Sequence, residues 1–331
     1  MYGVVVLIEL LIQQIGWAFN TLADPLASGL VTGVTGALVI WGGTVWLTRK
    51  ALPFRSLTPY DRVVVGRLAF GLAVINVGYP YGSQLVGMGA IITMSALGPL
   101  CSNGRVLWTI FRHPAEAPAG VLRGAVWSVV FRVAAFAGVV VVNEPWNGFE
   151  HSPWETGIGI VCGLLGAWSF WNYLHCLYDE EHYPKAVDRL RILAVADLVA
   201  IPLTALAVWG ASLGLGGGFS ELSSGKVLLL GTGAGILSFA VPTFIGAWVS
   251  GKVSLHVSSL LYLLDSPMGC LIGFIGAALG VLGAVQAPGP LVWVGMGVVF
   301  LAALAAARRP IPKVQWSKDE HCFISPKGAP A

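Results

Sequence analysis

The chain is predicted to be an all-α polytopic membrane protein, with ten transmembrane helices arranged as two inverted five-helix repeats. Three observations carry this expectation. Of its 331 residues 56% are hydrophobic and only 11% charged, where a soluble domain carries about 25% charged residues, and mean hydropathy is +0.78. Ten apolar runs reach the roughly 20 residues needed to cross a bilayer. Two proline-centred segments, Ser95-Ala-Leu-Gly-Pro-Leu100 and Leu263-Leu-Asp-Ser-Pro-Met268, lie deep in such runs. Residues 68–100 lie over 236–268 without a gap, and Pro99 then falls on Pro267. Matched helix breaks in two halves of an apolar chain point to a transporter's substrate site. A proline frees a carbonyl that must find a partner inside the protein when the surroundings are lipid.

In chain order the spans are expected near 2–20, 27–47, 63–82, 84–102, 122–143, 157–178, 191–213, 227–249, 254–283 and 289–307. The third and fourth are joined by a very short connection around Pro80-Tyr-Gly-Ser83, and the ninth is long enough to tilt or to break at Pro267. The first lacks the basic leader and small-residue cleavage site of a signal peptide, so it reads as a span. Loop charge then sets orientation. With the N-terminus inside, 17 of the 19 basic residues fall on the cytoplasmic side, among them Arg49, Lys50, Arg55, Arg62, Arg105, Arg112, Lys185, Arg189, Lys252, Arg309, Lys313, Lys318 and Lys327. Lys226 is external and Arg132 lies within a span, while the external loop after the fifth span carries Glu144, Glu150 and Glu155. Five spans per half is an odd number, so the second half must be inverted. The expected domains are 1–145, 155–308 and a cytoplasmic tail at 309–331, in a plasma or inner membrane with both termini cytoplasmic. Trp146, Trp154 and Trp293 fall near interfaces. The five cysteines fit no zinc or redox spacing and read as small core residues.

The second half contains Ala234-Gly-Ile-Leu-Ser-Phe-Ala-Val-Pro242, Ser258-Ser-Leu-Leu-Tyr-Leu-Leu-Asp-Ser-Pro267 and Gly273-Phe-Ile-Gly276. These stretches resemble the EamA domain of the drug/metabolite transporter superfamily, and within it the threonine/homoserine exporter group. Residues 95–100 and 236–242 look like that group's fourth- and eighth-span signatures. Gly166-Ala-Trp-Ser-Phe-Trp-Asn-Tyr173, Gln13-Gln-Ile-Gly16 and Gly33-Val-Thr-Gly36 are similar to its sixth, first and second spans. The likeness covers about residues 5–305. It implies export of a small polar metabolite, an amino acid such as threonine or homoserine. Two family features are missing: no basic residue follows Gly36, and Leu279-Gly280 stands where many members have Gly-Glu.

An ionisable side chain at membrane depth is a functional hypothesis by default. Glu9 precedes Gln13 by one helical turn, so both share a face; they form a cavity wall or an interhelical bond close to the cytoplasmic interface. Arg132, in the fifth span, must meet a carboxylate such as Glu9 or Asp265, a carbonyl cluster, water or a substrate carboxylate. Asp265, two residues before Pro267, is a proton carrier or a cap on the helix that resumes after the break. Asp197 reads as a surface partner of Arg189 and Arg191. Asn76, Tyr79, Trp168, Asn172, Ser238 and Tyr262 complete the candidate pathway with Gln13, Pro99 and Pro267, although polar side chains also simply hold membrane helices together.

The main functional expectation is a secondary transporter working by alternating access, with a small-molecule substrate, membrane lipid around it, and Asp265 or Glu9 as carrier if export is proton-driven. No cofactor, metal or nucleic acid is implied, and the state is monomer or homodimer. The alternatives are a membrane enzyme acting on a lipid-linked substrate and a degenerate transporter serving as scaffold or sensor. The enzyme's best cluster would be Tyr178-Asp-Glu-Glu-His-Tyr183, which reads more simply as a solvated turn.

Overall fold

In a computed structural model the chain is a helical multi-pass membrane protein. Residues 2–20, 22–49, 57–148, 152–215, 218–280, 288–308, 315–317 and 322–324 are described. The basic residues Lys50, Arg55, Arg309, Lys313, Lys318 and Lys327, the acid Glu150 and most of the tail lie outside them. Eight helices are long and apolar enough to cross a membrane, and two apolar helices, Met88–Cys101 and Pro290–Ala306, are shorter.

The elements are α1 (Tyr2–Asn20), α2 (Pro25–Thr48), α3 (Pro59–Val86), α4 in three pieces (Met88–Ser95, Leu97–Cys101 and Gly104–Arg112) and α5 (Ala119–Asn143). They continue as α6 (Pro153–Leu177), α7 (Ala186–Leu215), α8 (Gly225–Val249), α9 (Leu255–Ala278) and α10 (Pro290–Ala307). Their starts are chemically marked. Asp24 accepts from Ala27 N at 2.7 Å ahead of Pro25, while Thr58 with Asp61 and Ser152 with Glu155 form capping boxes. These satisfy amide groups that the first turn leaves orphaned. Beyond the helices, the tail holds one short antiparallel pair, β1 (Gln315–Ser317) with β2 (Cys322–Ile324).

The kinks have identifiable causes. In α3 a π-turn at Val74–Gly78 precedes Pro80, and in α8 one at Gly235–Ala240 precedes Pro242. The wide turn absorbs the bond that each proline cannot make. The expected connection at Pro80–Ser83 is therefore corrected. The helix continues to Val86 and turns at Gly87, whose φ of 77° suits glycine. Helix α4 breaks at Ala96 and resumes at Leu97, and α9 passes through a 3-10 turn at Tyr262–Leu264 before resuming at Asp265. Pro99 and Pro267 are each the third residue of the resumed piece. The gapless overlay is also refined. Pro80 and Pro242 stand six residues closer in register than Pro99 and Pro267, and the second half has the longer turn, through 250–254. The ninth helix ends at Ala278 rather than near 283.

Packing is reciprocal between the halves. Helix α1 lies on α8 and α9, and α6 lies on α3 and α4; α2 packs on α7 and α8, and α7 packs on α2 and α3. The α5–α10 pair is the tightest, crossing where Gly138 and Gly295 each face the other's carbonyl. Lipid gives no hydrophobic drive between helices, so such close approach supplies the dispersion contact instead. The outer surface is apolar, with Leu206, Leu229 and Leu301 each more than 60% exposed. Trp146, Trp154 and Trp293 are exposed too, as interfacial residues should be. The core reading of the cysteines needs correction: Cys176 is buried, Cys162 and Cys270 are half-buried, and Cys101 is exposed, because it ends a short helical piece at the surface.

Gly138→Leu would push a side chain into Gly295 O and Val299. Overpacking of this kind costs about 1–3 kcal/mol, so the detergent-solubilised protein should melt several degrees lower. Gly297→Leu, with open space around it, should melt with the parent.

Candidate functional site

Helices α1, α3, α6, α7, α8 and α9 enclose a central cavity of about 70 Å³. The π-turn of α8 puts Ser238 and Phe239 on its wall, and Pro242 and Thr243 follow. Glu9, Gln13 and Trp17 face it from α1 at successive helical turns. Glu9 is 1% exposed. Its Oε1 accepts from Tyr262 Oη at 2.7 Å, and its Oε2 has no partner among the described residues. Asp197 enters from α7. Five rings complete the wall: Trp17, Phe170, Tyr173, Phe239 and Tyr262. Phe170 meets Tyr262 edge-on at 5.2 Å between centroids, and Trp17 lies 6.0 Å from Phe239. Among the described residues, two carboxylates and no basic side chain line this space.

Of the expected pathway residues, the cavity brings together Glu9, Gln13, Ser238 and Tyr262. Glu9 is therefore a buried cavity residue rather than one wetted at the interface. Asp265 is near but separate, accepting a hydrogen bond from Gln14 Nε2 at 2.5 Å. That corrects its reading as a cap, since no side chain caps the start of the piece that it opens. Tyr79 is packed against Gly166, Trp168 meets Phe70 edge-on, and Asn172 donates to the Trp168 carbonyl. None of the three lines the cavity. Asn76 opens onto a smaller chamber beside it. Sequence reasoning missed Trp17, Tyr173, Phe239 and Thr243. Trp17 was findable, because it continues the Glu9–Gln13 stripe by one turn.

Asp197 also differs from expectation. Arg189 stands eight residues earlier, about 12 Å along the helix axis. It is turned away, donating to Tyr183 O at 2.9 Å and Ser250 Oγ at 2.6 Å. The carboxylate faces the interior instead.

Arg132 pairs with neither Glu9 nor Asp265. Its Nη1 donates to Pro99 O and Leu100 O, both at 2.8 Å, and its Nη2 donates to Ser259 Oγ at 2.6 Å. With the Asn103 amide turned to suit its neighbours, its oxygen accepts from Nη2 at 2.7 Å. Ser128 bridges to His256 Nδ1 at 3.1 Å. The guanidinium thus meets the carbonyl cluster, which is the C-terminal, electronegative end of the middle piece of α4. It ties that end to the start of α9 and is 2% exposed. In this structure the protein's own oxygens take up the guanidinium's donors.

The Tyr178–Tyr183 run forms a knot. Asp179 accepts from Tyr60 Oη at 2.7 Å and lies 3.0 Å from His182 Nδ1, whose ring stacks on Tyr60 at 3.9 Å. Tyr183 donates to Asp61 at 2.8 Å. Among the described residues no group of three or more His, Cys, Asp and Glu could hold a metal. The hydrogen bond to Asp179 raises the His182 pKa above its ordinary 6.5. Burial works against the Asp179 charge, but the bonds from Tyr60 and His182 outweigh it and hold its pKa below 3.8.

No protein-family profile matches the chain, and no curated protein does. A solved crystal structure, described only as that of a protein, is 18% identical with a TM-score of 0.61, over 93% of this chain and 96% of its own. At that identity the likeness shows a shared fold alone.

Arg132→Met removes the donors to Pro99, Leu100 and Ser259. Each buried acceptor left unmet costs about 1–3 kcal/mol, so the melting temperature should fall below that of Asp265→Asn. The His182–Asp179 bond stabilises fully below pH 6.5 and fades as pH rises through the raised His182 value. A melting profile should therefore lose stability as pH rises above 6.5, and His182→Ala should remove that limb.

Proposed function

We propose that the chain is a secondary transporter that moves a small amine-bearing solute through the central cavity by alternating access. The observation that carries this is the cavity lining itself: two carboxylates, Glu9 and Asp197, inside a box of five aromatic rings at the meeting of six helices. A carboxylate at membrane depth costs a few kcal/mol or more unless it meets positive charge or a proton. Aromatic faces add attraction for an ammonium group. With Arg132 engaged elsewhere, the lining favours the amino end of a solute. This fits a metabolite with an ammonium group, and the threonine/homoserine exporter resemblance suggests the amino-acid class and the outward direction.

Ten spans in two inverted five-helix repeats form the architecture of this reading. Its support is the packing pattern. Numbering the second half's helices as the first's, each contact of α1 with α8 and α9 has its counterpart in α6 with α3 and α4. The kinks at Pro80 and Pro242 and the breaks at Pro99 and Pro267 pair in the same way. Inverted repeats place the substrate at their interface near the bilayer midplane. Loop charge supports a cytoplasmic location for both termini in this reading.

The test is efflux from proteoliposomes preloaded with labelled amino acids and small amines, with and without a proton gradient. Hydrogen bonds to charged groups contribute about 1.5–3 kcal/mol, so Glu9→Gln and Asp197→Asn should each slow transport by about tenfold or more. Asp265→Asn, already satisfied by Gln14, should act less. If both cavity substitutions leave the parent's transport intact, the cavity is not the path.

A further inference from the structure

Two acids reach the central cavity from different sides. Glu9 stands on α1, which packs on α8 and α9, and Asp197 stands on α7, which packs chiefly on α2 and α3. The Tyr173 hydroxyl of α6 lies within electrostatic reach of both. Glu9 Oε2 is buried without a hydrogen-bond partner among the described residues. Asp197 is buried too, and makes no hydrogen bond or ion pair among them. The rest of the wall is mostly apolar, with Leu68, Leu72, Ile75 and Leu193 beside the five rings.

Each acid needs a positive charge or a proton to stay inside the membrane. A solute with one ammonium group answers one of them. An amino acid also answers one, and brings a carboxylate of its own into a space that no basic side chain lines among the described residues. A solute with an ammonium group at each end answers both. The methylenes between its ends match the leucine, isoleucine and ring surfaces, and the ring faces attract ammonium. Volume sets the length. A water-sized occupant takes about 10–15 Å³ of a cavity. The 70 Å³ here therefore holds about five to seven such occupants, the heavy-atom count of a diamine with about three to five methylenes.

We propose that the solute of this cavity is a short linear diamine, held by Glu9 at one end and by Asp197 at the other. The proposal rests on the reading of the cavity as the solute's place in transport, and it narrows the class that the resemblance suggests.

The experiment is thermal melting of the purified, detergent-solubilised full chain, titrated at neutral pH and constant ionic strength with putrescine (a four-methylene diamine), butylamine or threonine. A ligand of the folded state stabilises with the logarithm of its concentration, so each titration has a midpoint. Putrescine should reach its midpoint at a concentration about tenfold or more below that of butylamine, and threonine should act most weakly. Glu9→Gln and Asp197→Asn should each bring the two amines to one midpoint. The comparison on the parent chain decides the matter if either variant fails to fold. Equal midpoints for putrescine and butylamine on the parent, or a lower midpoint for threonine, overturns the proposal. Efflux of the same solutes from proteoliposomes separates the two readings. Efflux of a solute without a putrescine preference in melting sinks the diamine and leaves the transporter standing. A putrescine preference in melting without efflux of any solute does the reverse.

Discussion

In a membrane a helix cannot be interrupted without a partner for the backbone that the interruption frees. This chain interrupts four of its helices, and the rest of the structure is arranged around those interruptions. In α3 and α8 the solution is local: a π-turn is inserted ahead of Pro80 and Pro242. In α4 it is long-range. The carbonyls of Pro99, which Ser102 Oγ also meets at 2.7 Å, and Leu100 end a five-residue helical piece, and the guanidinium of Arg132 reaches both from α5. The cation is tolerated because it is spread over carbonyls, hydroxyls and the Asn103 amide, and the Leu100 carbonyl gains its donor from the cation. That mutual dependence fastens α4, α5 and α9 on one side of the cavity.

The consequence for the site is a division of labour among the buried charges. Arg132 and Arg189 are bound to backbone carbonyls and serine hydroxyls. Asp265 is held by Gln14. Glu9 and Asp197 are the acids left facing enclosed space, and both do so from helices that pack on a kinked neighbour. The interior therefore presents carboxyl oxygens and, among the described lining residues, no basic group, within aromatic walls. At this position oxygen acceptors and ring faces are arranged about one space.

Much of the fold was legible in the residue order because lipid imposes a simple rule of length and polarity. The apolar runs and the breaks near Pro99 and Pro267 depend on local composition. The turn near residue 87 was misplaced for a local reason too, since Pro80 looks like a helix end until the π-turn before it is known. The site was legible only where periodicity sufficed. Glu9, Gln13 and Ser238 stand on faces that can be counted out from spacing. Asp197 could not be placed that way, because Arg189, its nearby basic residue on the same helix, points elsewhere. Arg132 and Asp265 have partners 33 and 251 positions away, and nothing in their neighbourhoods specifies those partners.

The interleaving of the two halves bears on how the chain is made. Helix α1 has its main neighbours in α8 and α9, and α2 in α7 and α8. Neither can be buried while only the first 145 residues have left the ribosome. At translation rates of about 5–20 residues per second, the earliest helices stay in the bilayer for on the order of ten seconds or more before their partners arrive. During that interval Glu9, with Tyr262 not yet synthesised, is an unpartnered acid within the membrane. The buried bond between Tyr262 and Glu9 is thus a late event of assembly, made only once the ninth helix has been synthesised.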